Sequence, residues 1–211
     1  MSTALASTIA HDGLKWHARW GVHKFDVADF STLRGRRGGL DAVARPEFAS
    51  IIAAGIKPYE VIEDEGNLLL NNGINRLLNL LIGTGSIAAY ATSGAGQMRI
   101  GAGDGSTAVT AADTDLSAVA GSTHRWFNKS DASNPTVSAQ TLTCVSTFAS
   151  ADGNFAWNEW GVDGGGSTSG NTVGTNSSTT SALLNRKVPG SSLGTKASGA
   201  SWAFTITITI S

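Results

Sequence analysis

The chain has 211 residues, a formal net charge of −1 and one cysteine. It is long enough to bury a core without disulfides or a structural metal. Its balanced charge produces no electrostatic field that would attract nucleic acid or an anionic membrane surface. The single cysteine excludes an internal disulfide. Only 15% of the residues are charged and 26 are glycine. This composition is typical of strands and turns with small, neutral side chains, and it predicts neither a nucleic-acid nor a membrane partner.

Residues 1–65 are predicted to form an extended N-terminal arm that contacts other subunits. The run RGRRGG at residues 34–39 cannot be the interior of a stable helix, because each glycine there costs about 1 kcal/mol relative to alanine. A short helix is predicted from Pro46 to about Ala54, since proline suits a first turn and Gly55 can end the helix. Aromatic and arginine side chains dominate interface hot spots. The predicted interface residues are Trp16, Trp20, Phe25, Phe30, Arg34, Arg36 and Arg37.

A buried helix is predicted within residues 66–85, GNLLLNNGINRLLNLLIGTG. Its apolar side chains recur at i, i+4, i+7, i+8 and i+11, which is one face of a helix, and Gly83 suits a left-handed stop. Gly73 lies inside the helix, where its low helix propensity indicates close packing against another backbone. This face contributes four predicted core residues: Leu70, Ile74, Leu77 and Leu81.

The second half of the chain changes to strands and turns. Large apolar groups alternate with alanine and threonine in residues 202–210, and this period of two predicts a half-buried strand. Residues 136–148 and 154–162 predict two more strands, with Asp152-Gly153 as a hairpin turn between them. Residues 66–211 are therefore predicted to be a mainly β domain, a β-sandwich or partly open barrel with one or two helices. Its other predicted core residues are Trp157, Trp202, Phe204, Ile206 and Ile208.

Zinc and nucleotide sites are both disfavoured by the spacing of the residues. His11, His17 and His23 recur every six residues, which does not bring three ligands to within about 2.1 Å of one metal ion. Residues 101–106, GAGDGS, look like a phosphate-binding loop. They lack the third glycine and the following helix of a dinucleotide fingerprint, so they predict a tight turn.

Catalysis has little basis in the residues of the second half. Cys144 lies in a predicted strand, where a small buried hydrophobe is its usual role. Glu159 is the only glutamate after residue 65, and it is expected to pair with an arginine such as Arg186. A calcium site stays open as an alternative, although the chain lacks the dense acid spacing of a calcium loop. The loosely spaced acids that could form one are Asp104, Asp113 and Asp115. No enzyme activity and no cofactor are predicted.

Four blocks of sequence occur in an order that resembles structural domains of tailed bacteriophages. Tail-collar domains, tail-fibre domains and virion proteins encoded among head and tail genes contain similar blocks, and with residues 66–82 the resemblance covers about two-thirds of the chain. The resemblance implies a non-enzymatic virion protein that is assembled in the host cytoplasm. The blocks are residues 100–108 with 113–116, residues 146–162, residues 183–188, and residues 193–199 with the strand 202–210.

Three functions follow as alternatives. The first is a capsid decoration or cement protein, a homo-oligomer that clamps the major capsid protein through the arm. The second is a minor tail protein, or the collar base of a tail fibre that contacts the host. The closing strand ends at Ser211 with no fibre repeats after it, which favours the first. The third is a carbohydrate-binding module in which Trp126, Trp157 and Trp160 stack on sugars.

Overall fold

A computed structural model describes residues 15–31, 46–84, 97–163, 174–175 and 183–211. These residues form two antiparallel sheets that do not close into a barrel, so the prediction of a mainly β sandwich is confirmed. The strands are β1 (Trp16–Asp26), β2 (Glu60–Glu65), β3 (Leu68–Leu69), β4 (Arg99–Gly103), β5 (Arg125–Lys129), β6 (Thr136–Ser138), β7 (Thr141–Phe148), β8 (Glu159–Asp163), β9 (Gly174–Thr175), β10 (Leu183–Lys187) and β11 (Ala200–Ile210). The helices are α1 (Val27–Ser31), α2 (Phe48–Ala53) and α3 (Asn71–Ile82).

Sheet A has the strand order β2-β1-β11-β7-β6. Strand β1 pairs with β11 along its whole length, from Trp16 opposite Ile210 to Asp26 opposite Ala200. It pairs with β2 on its other side. The prediction of an N-terminal arm is therefore wrong for residues 16–26 and 60–65, which are strands of the sandwich. Burial alternates only in the first half of β1, where Ala18 and Trp20 are buried and His17 and Arg19 are exposed. In the second half Lys24 and Phe25 are both buried, so the sequence shows no clean period of two.

Sheet B has the strand order β3-β10-β8-β4-β5-β9. Strands β7 and β8 belong to different sheets, so the predicted hairpin at Asp152-Gly153 is wrong. A tight turn does lie there, with Gly153 at a φ of 61° and an Asp152 oxygen accepting a hydrogen bond from the backbone N–H of Ala149. This turn carries the chain from sheet A to sheet B. A local turn signal does not specify which strand the chain pairs with next.

The core between the sheets is rich in aromatic side chains. Trp157 and Trp202 are buried with ring centroids 4.9 Å apart, and Trp20 and Trp160 are buried with centroids 5.6 Å apart. Phe204, Ile206 and Ile208 complete the inner face of β11. A second cluster lies on the outer face of sheet A, where Ile51 of α2 covers Phe25 and Ala203.

Candidate functional site

Helix α3 is held against sheet B through its backbone. The N–H of Leu70, just before the helix, donates to the carbonyl of Leu184 at 3.0 Å, and the N–H of Asn71 donates to the carbonyl of Ala111 at 2.9 Å. A Cβ placed at Gly73 would overlap the carbonyl oxygen of Leu184. The prediction that Gly73 packs closely against another backbone is confirmed, and Gly83 ends the helix in the left-handed conformation.

The apolar side of α3 points away from the sandwich. Leu70 is buried, but the prediction that Ile74, Leu77 and Leu81 lie in the core is wrong, because they are 40%, 37% and 82% exposed. Gly73 and Arg76 are the helix residues that are buried instead. Two further exposed residues extend this surface. The α3 apolar face is defined by Ile74, Leu77, Leu78, Leu81 and Ile82.

The five residues of the α3 apolar face form one continuous stripe. At 3.6 residues per turn they fall within an arc of about 140° around the helix axis, and Gly73 and Arg76 lie outside that arc. The exposed fractions of the five residues add up to the accessible surface of nearly three fully exposed residues. A large apolar patch of this kind on a folded protein marks an interaction site more often than isolated exposed leucines do.

Gly73→Ala is expected to destabilise the protein, although the same change at an exposed helix position stabilises by about 1 kcal/mol. The new methyl group would displace the helix from the Leu184 carbonyl, and overpacking of this kind costs about 1–3 kcal/mol. Asn75→Ala, at an exposed position of the same helix, is the control and should be neutral or stabilising. Urea denaturation measures both variants. A stabilised Gly73→Ala protein would contradict the backbone contact.

A buried ion pair lies on the outer face of sheet B. The Nε atom of Arg186 donates to Glu159 Oε2 at 2.7 Å, which confirms the predicted pairing, and both side chains are buried. Glu159 also accepts hydrogen bonds from the backbone N–H groups of Ser117 and Ala118 at 3.1 and 2.7 Å. Arg186 Nη1 donates to Asp113 Oδ2 at 2.6 Å. These bonds tie the loop after β4 to the sheet.

Two of the glycines in residues 101–106 make room for this ion pair. A Cβ at Gly103 would lie 2.8 Å from Glu159 Oε1, and a Cβ at Gly105 would overlap the Ser117 hydroxyl. Strand β4 continues through Gly103, three residues into the predicted turn, so the prediction of a turn is wrong for residues 101–103. The motif that looks like a phosphate loop therefore serves the internal packing of Glu159 and Ser117.

The acids considered for calcium bind three different basic side chains. Asp104 contacts His124 at 2.7 Å, and Asp115 contacts Arg125 at 2.9 Å. Burial by itself raises the pKa of Asp113, but hydrogen bonds from Thr110 and Arg186 outweigh it and hold that pKa below its ordinary value. Among the described residues, no group of three metal-binding side chains converges.

The two candidate nucleophiles lie in structural surroundings. Cys144 is buried, and burial, with a smaller contribution from Asp131, raises the pKa of its thiol well above the usual range. Residues 190–194, GSSLG, do match the Gly-x-Ser-x-Gly spacing of a serine nucleophile motif, so the expectation that the chain contains no such motif is wrong at the level of sequence. That motif requires a turn from a strand into a helix. Here the segment is a loop between two strands, and the Ser192 hydroxyl donates to the carbonyl of Trp157 at 3.3 Å.

The predicted interface residues do not form one surface. The predictions for Trp20 and Phe25 are wrong, because both side chains point into the two clusters and are buried. Phe30 is partly buried against the second cluster. Trp16 is partly exposed at the start of β1. The cluster of Arg34, Arg36 and Arg37 lies outside the described residues, as does His11.

Two of the three tryptophans considered for sugar binding are not accessible. Trp157 and Trp160 are fully buried, and Trp126 packs against the main core with partial exposure. The outward orientation of the α3 apolar face is a feature that the sequence did not predict. The helical period of residues 70–81 was visible in the sequence, but it does not show which side of the helix meets the sheet.

Fold and surface together define a β-sandwich with an outward-facing apolar helix. No protein-family model, curated protein or solved structure matches the chain. Within the described residues, none of the helices combines the length and the hydropathy needed to cross a bilayer.

Proposed function

We propose that the chain is a non-enzymatic structural subunit of a tailed-bacteriophage particle. It attaches to an apolar surface of the major capsid protein through the α3 apolar face. The observation that carries this proposal is the outward orientation of Ile74, Leu77, Leu78, Leu81 and Ile82 on a helix whose opposite side is fixed to sheet B. The ordered blocks that resemble phage structural domains support the particle as its location.

The chemistry of the face specifies its partner. The α3 apolar face carries no charge, since Arg76 is the only charged residue of α3 and it is buried. Asparagines border it at residues 71, 72, 75 and 79. An apolar helix face of this shape binds into a hydrophobic groove with a polar rim. A charged or strongly hydrated surface would offer the leucines no apolar side chains to pack against.

The strength of one contact favours attachment at many repeated positions. Full burial of one leucine or isoleucine stabilises by about 1.5–3 kcal/mol, so burial of nearly three side chains contributes roughly 4–8 kcal/mol. Association costs about 4–15 kcal/mol in lost translational and rotational freedom. A single docking event is therefore weak. Oligomeric subunits that engage several positions of a lattice gain avidity without new contacts.

A tail component is the second candidate. The resemblance of the ordered blocks to tail-collar domains favours it. In that case the α3 apolar face would bind a tail subunit, and the number of copies would follow the symmetry of the tail instead of the capsid. The two locations differ in copy number per particle, which makes them separable.

The double variant Leu78→Asp/Leu81→Asp is expected to fold normally and to be lost from particles. Both residues are more than half exposed, so the carboxylates stay hydrated in the free protein, whereas docking would bury them unpaired. Particles are purified from cells that make the variant, and its incorporation is quantified by mass spectrometry.

Val137→Asp is the matched control. Val137 is 71% exposed on the edge strand β6 and does not belong to the α3 apolar face. This variant should be incorporated as well as the wild type. Normal incorporation of the double variant would refute attachment through α3. Equal loss of the wild type, the double variant and Val137→Asp from particles would also count against it.

A further inference from the structure

A buried lysine lies against the turn that carries the chain from sheet A to sheet B. Lys196 is 1% exposed, although lysine is almost never fully buried unless it is paired. Its backbone N–H donates to the carbonyl of Phe155 at 3.0 Å, and the preceding Thr195 pairs with Ala156 in an isolated β-bridge. These contacts hold the segment that carries Lys196 in a fixed register with the segment that follows the turn.

The amino group of Lys196 contacts a side-chain amide. Its Nζ atom donates to Asn154 Oδ1 at 2.9 Å and to the carbonyl of Ala149 at 2.7 Å. The Nδ2 atom of Asn154 donates to the carbonyl of Ser150 at 2.8 Å. The amide is therefore oriented with its oxygen toward the amine and its nitrogen toward Ser150. Asn154 is exposed, so a group that leaves its side chain can reach solvent.

A carboxylate on the same turn completes the group. Asp152 is 1% exposed and lies two residues before Asn154. Its Oδ2 atom accepts a hydrogen bond from the backbone N–H of Ala149 at 3.1 Å. Ala149 thus binds both ionisable groups, Asp152 through its N–H and Lys196 through its carbonyl. An amine, an amide and a carboxylate are neighbours here, and the amine and the carboxylate are shielded from water.

The surroundings of Lys196 favour its neutral form. Burial lowers the pKa of Lys196 to about 8, against the smaller opposing effect of the Asp152 charge. At pH 7 an amine of this pKa is neutral in about one molecule in ten, whereas an ordinary lysine is neutral in about one in three thousand. The neutral amine is the nucleophilic form of lysine. Burial therefore prepares Lys196 for reaction with the amide that it contacts.

We propose that Lys196 and Asn154 form an intramolecular isopeptide bond, with Asp152 as the proton carrier. Lys196 transfers a proton to Asp152, and the neutral Nζ atom attacks Asn154 Cγ. Asp152 then gives that proton to Nδ2 and takes a second one from Nζ, the bond between Cγ and Nδ2 breaks, and ammonia leaves. The ammonia takes up the second proton, so Asp152 is again a carboxylate and no oxidant or other reactant is consumed. The bond is independent of attachment through the α3 apolar face.

Intact-mass spectrometry of the purified full chain tests the bond. We expect a mass lower than that of the sequence by about 17 Da, which is the mass of ammonia. Trypsin should leave Lys196 uncleaved, because its amino group is acylated, and should release residues 130–186 and 188–211 as one branched peptide. Lys187, whose Nζ atom donates to the backbone carbonyl of Glu65, should be cleaved normally.

Three variants separate the reacting groups. Asn154→Ala removes the acceptor at an exposed position, so the protein should fold, keep its full mass and be cleaved at Lys196. Asp152→Asn keeps a side chain of the same shape and should slow bond formation by roughly a hundredfold or more. Asn158→Ala is the matched control, because Asn158 lies on the same segment but donates to the carbonyl of Asp104. It should lose ammonia as the wild type does.

A wild-type chain of full mass that trypsin cleaves at Lys196 would overturn the proposal. An ammonia loss that persists in Asn154→Ala would overturn it as well, since it would place the reaction at another asparagine. Equal rates of cross-linking in Asp152→Asn and the wild type would contradict proton transfer through the carboxylate.

Discussion

Ile208→Asp is expected to prevent the chain from reaching a cooperative native state. Ile208 is 4% exposed on the inner face of β11, between Ala18 of β1 and Leu142 of β7. Its neighbours in the main core cluster are hydrophobic, and the buried Lys24 lies at the other end of β1, over the ring of Trp202. An unpaired carboxylate in such surroundings costs several kcal/mol, which is comparable to the ~5–15 kcal/mol that holds a typical domain together.

Thr209→Asp is the control for that substitution. Thr209 is the next residue of the same strand, on the opposite face, where its hydroxyl contacts the hydroxyl of Thr141 at 2.8 Å. We expect this variant to fold with a loss of about 1 kcal/mol or less. Near-ultraviolet circular dichroism and urea denaturation compare the two. A native-like Ile208→Asp protein would show that the other face of β11 is inside.

Arg186→Met is expected to destabilise the protein by about 3–5 kcal/mol, because it leaves a buried charge without its partner. Glu159 is fully buried and would retain only its hydrogen bonds from Ser117 and Ala118. Asp113 would also lose its bond to Arg186. We therefore expect the loop of residues 104–118 to lose hydrogen-exchange protection before the sheets do.

Arg19→Met provides the comparison for a surface ion pair. Arg19 and Glu65 are 3.9 Å apart, with side chains 83% and 76% exposed, and such pairs contribute about 0–1 kcal/mol. Urea denaturation of both arginine variants gives the difference directly. Equal losses of stability would contradict the structural role of the Arg186 pair. The double variant Glu159→Gln/Arg186→Met should recover part of the loss, since it removes both charges.

Local patterns in the sequence predicted the features that depend on near neighbours. The alternation of residues 202–210 predicted the closing strand, and the position of Gly73 predicted a close backbone contact. The isolation of Glu159 among uncharged residues predicted its pairing with an arginine. Each of these follows from a period, a conformational preference or the need of a buried charge for a partner.

The orientation of α3 and the place of β1 could not be predicted in the same way. The leucine stripe predicts a helix, but in this fold the side that carries Gly73 meets the Leu184 carbonyl of β10, and that contact joins residues far apart in sequence. Strand β1 alternates only in its first half, and its histidines, Arg19 and buried Lys24 made it look like a mixed-charge arm. Its pairing with β11 connects the two ends of the described chain.

Attachment through the α3 apolar face is tested most directly by counting the chain in purified particles. Quantitative mass spectrometry of virions from the host that carries this sequence gives the number of copies relative to the major capsid protein. We predict a fixed ratio to the capsid protein for the wild type, and loss of the chain from particles for Leu78→Asp/Leu81→Asp. Absence of the wild-type chain from purified virions would contradict a structural role in the particle.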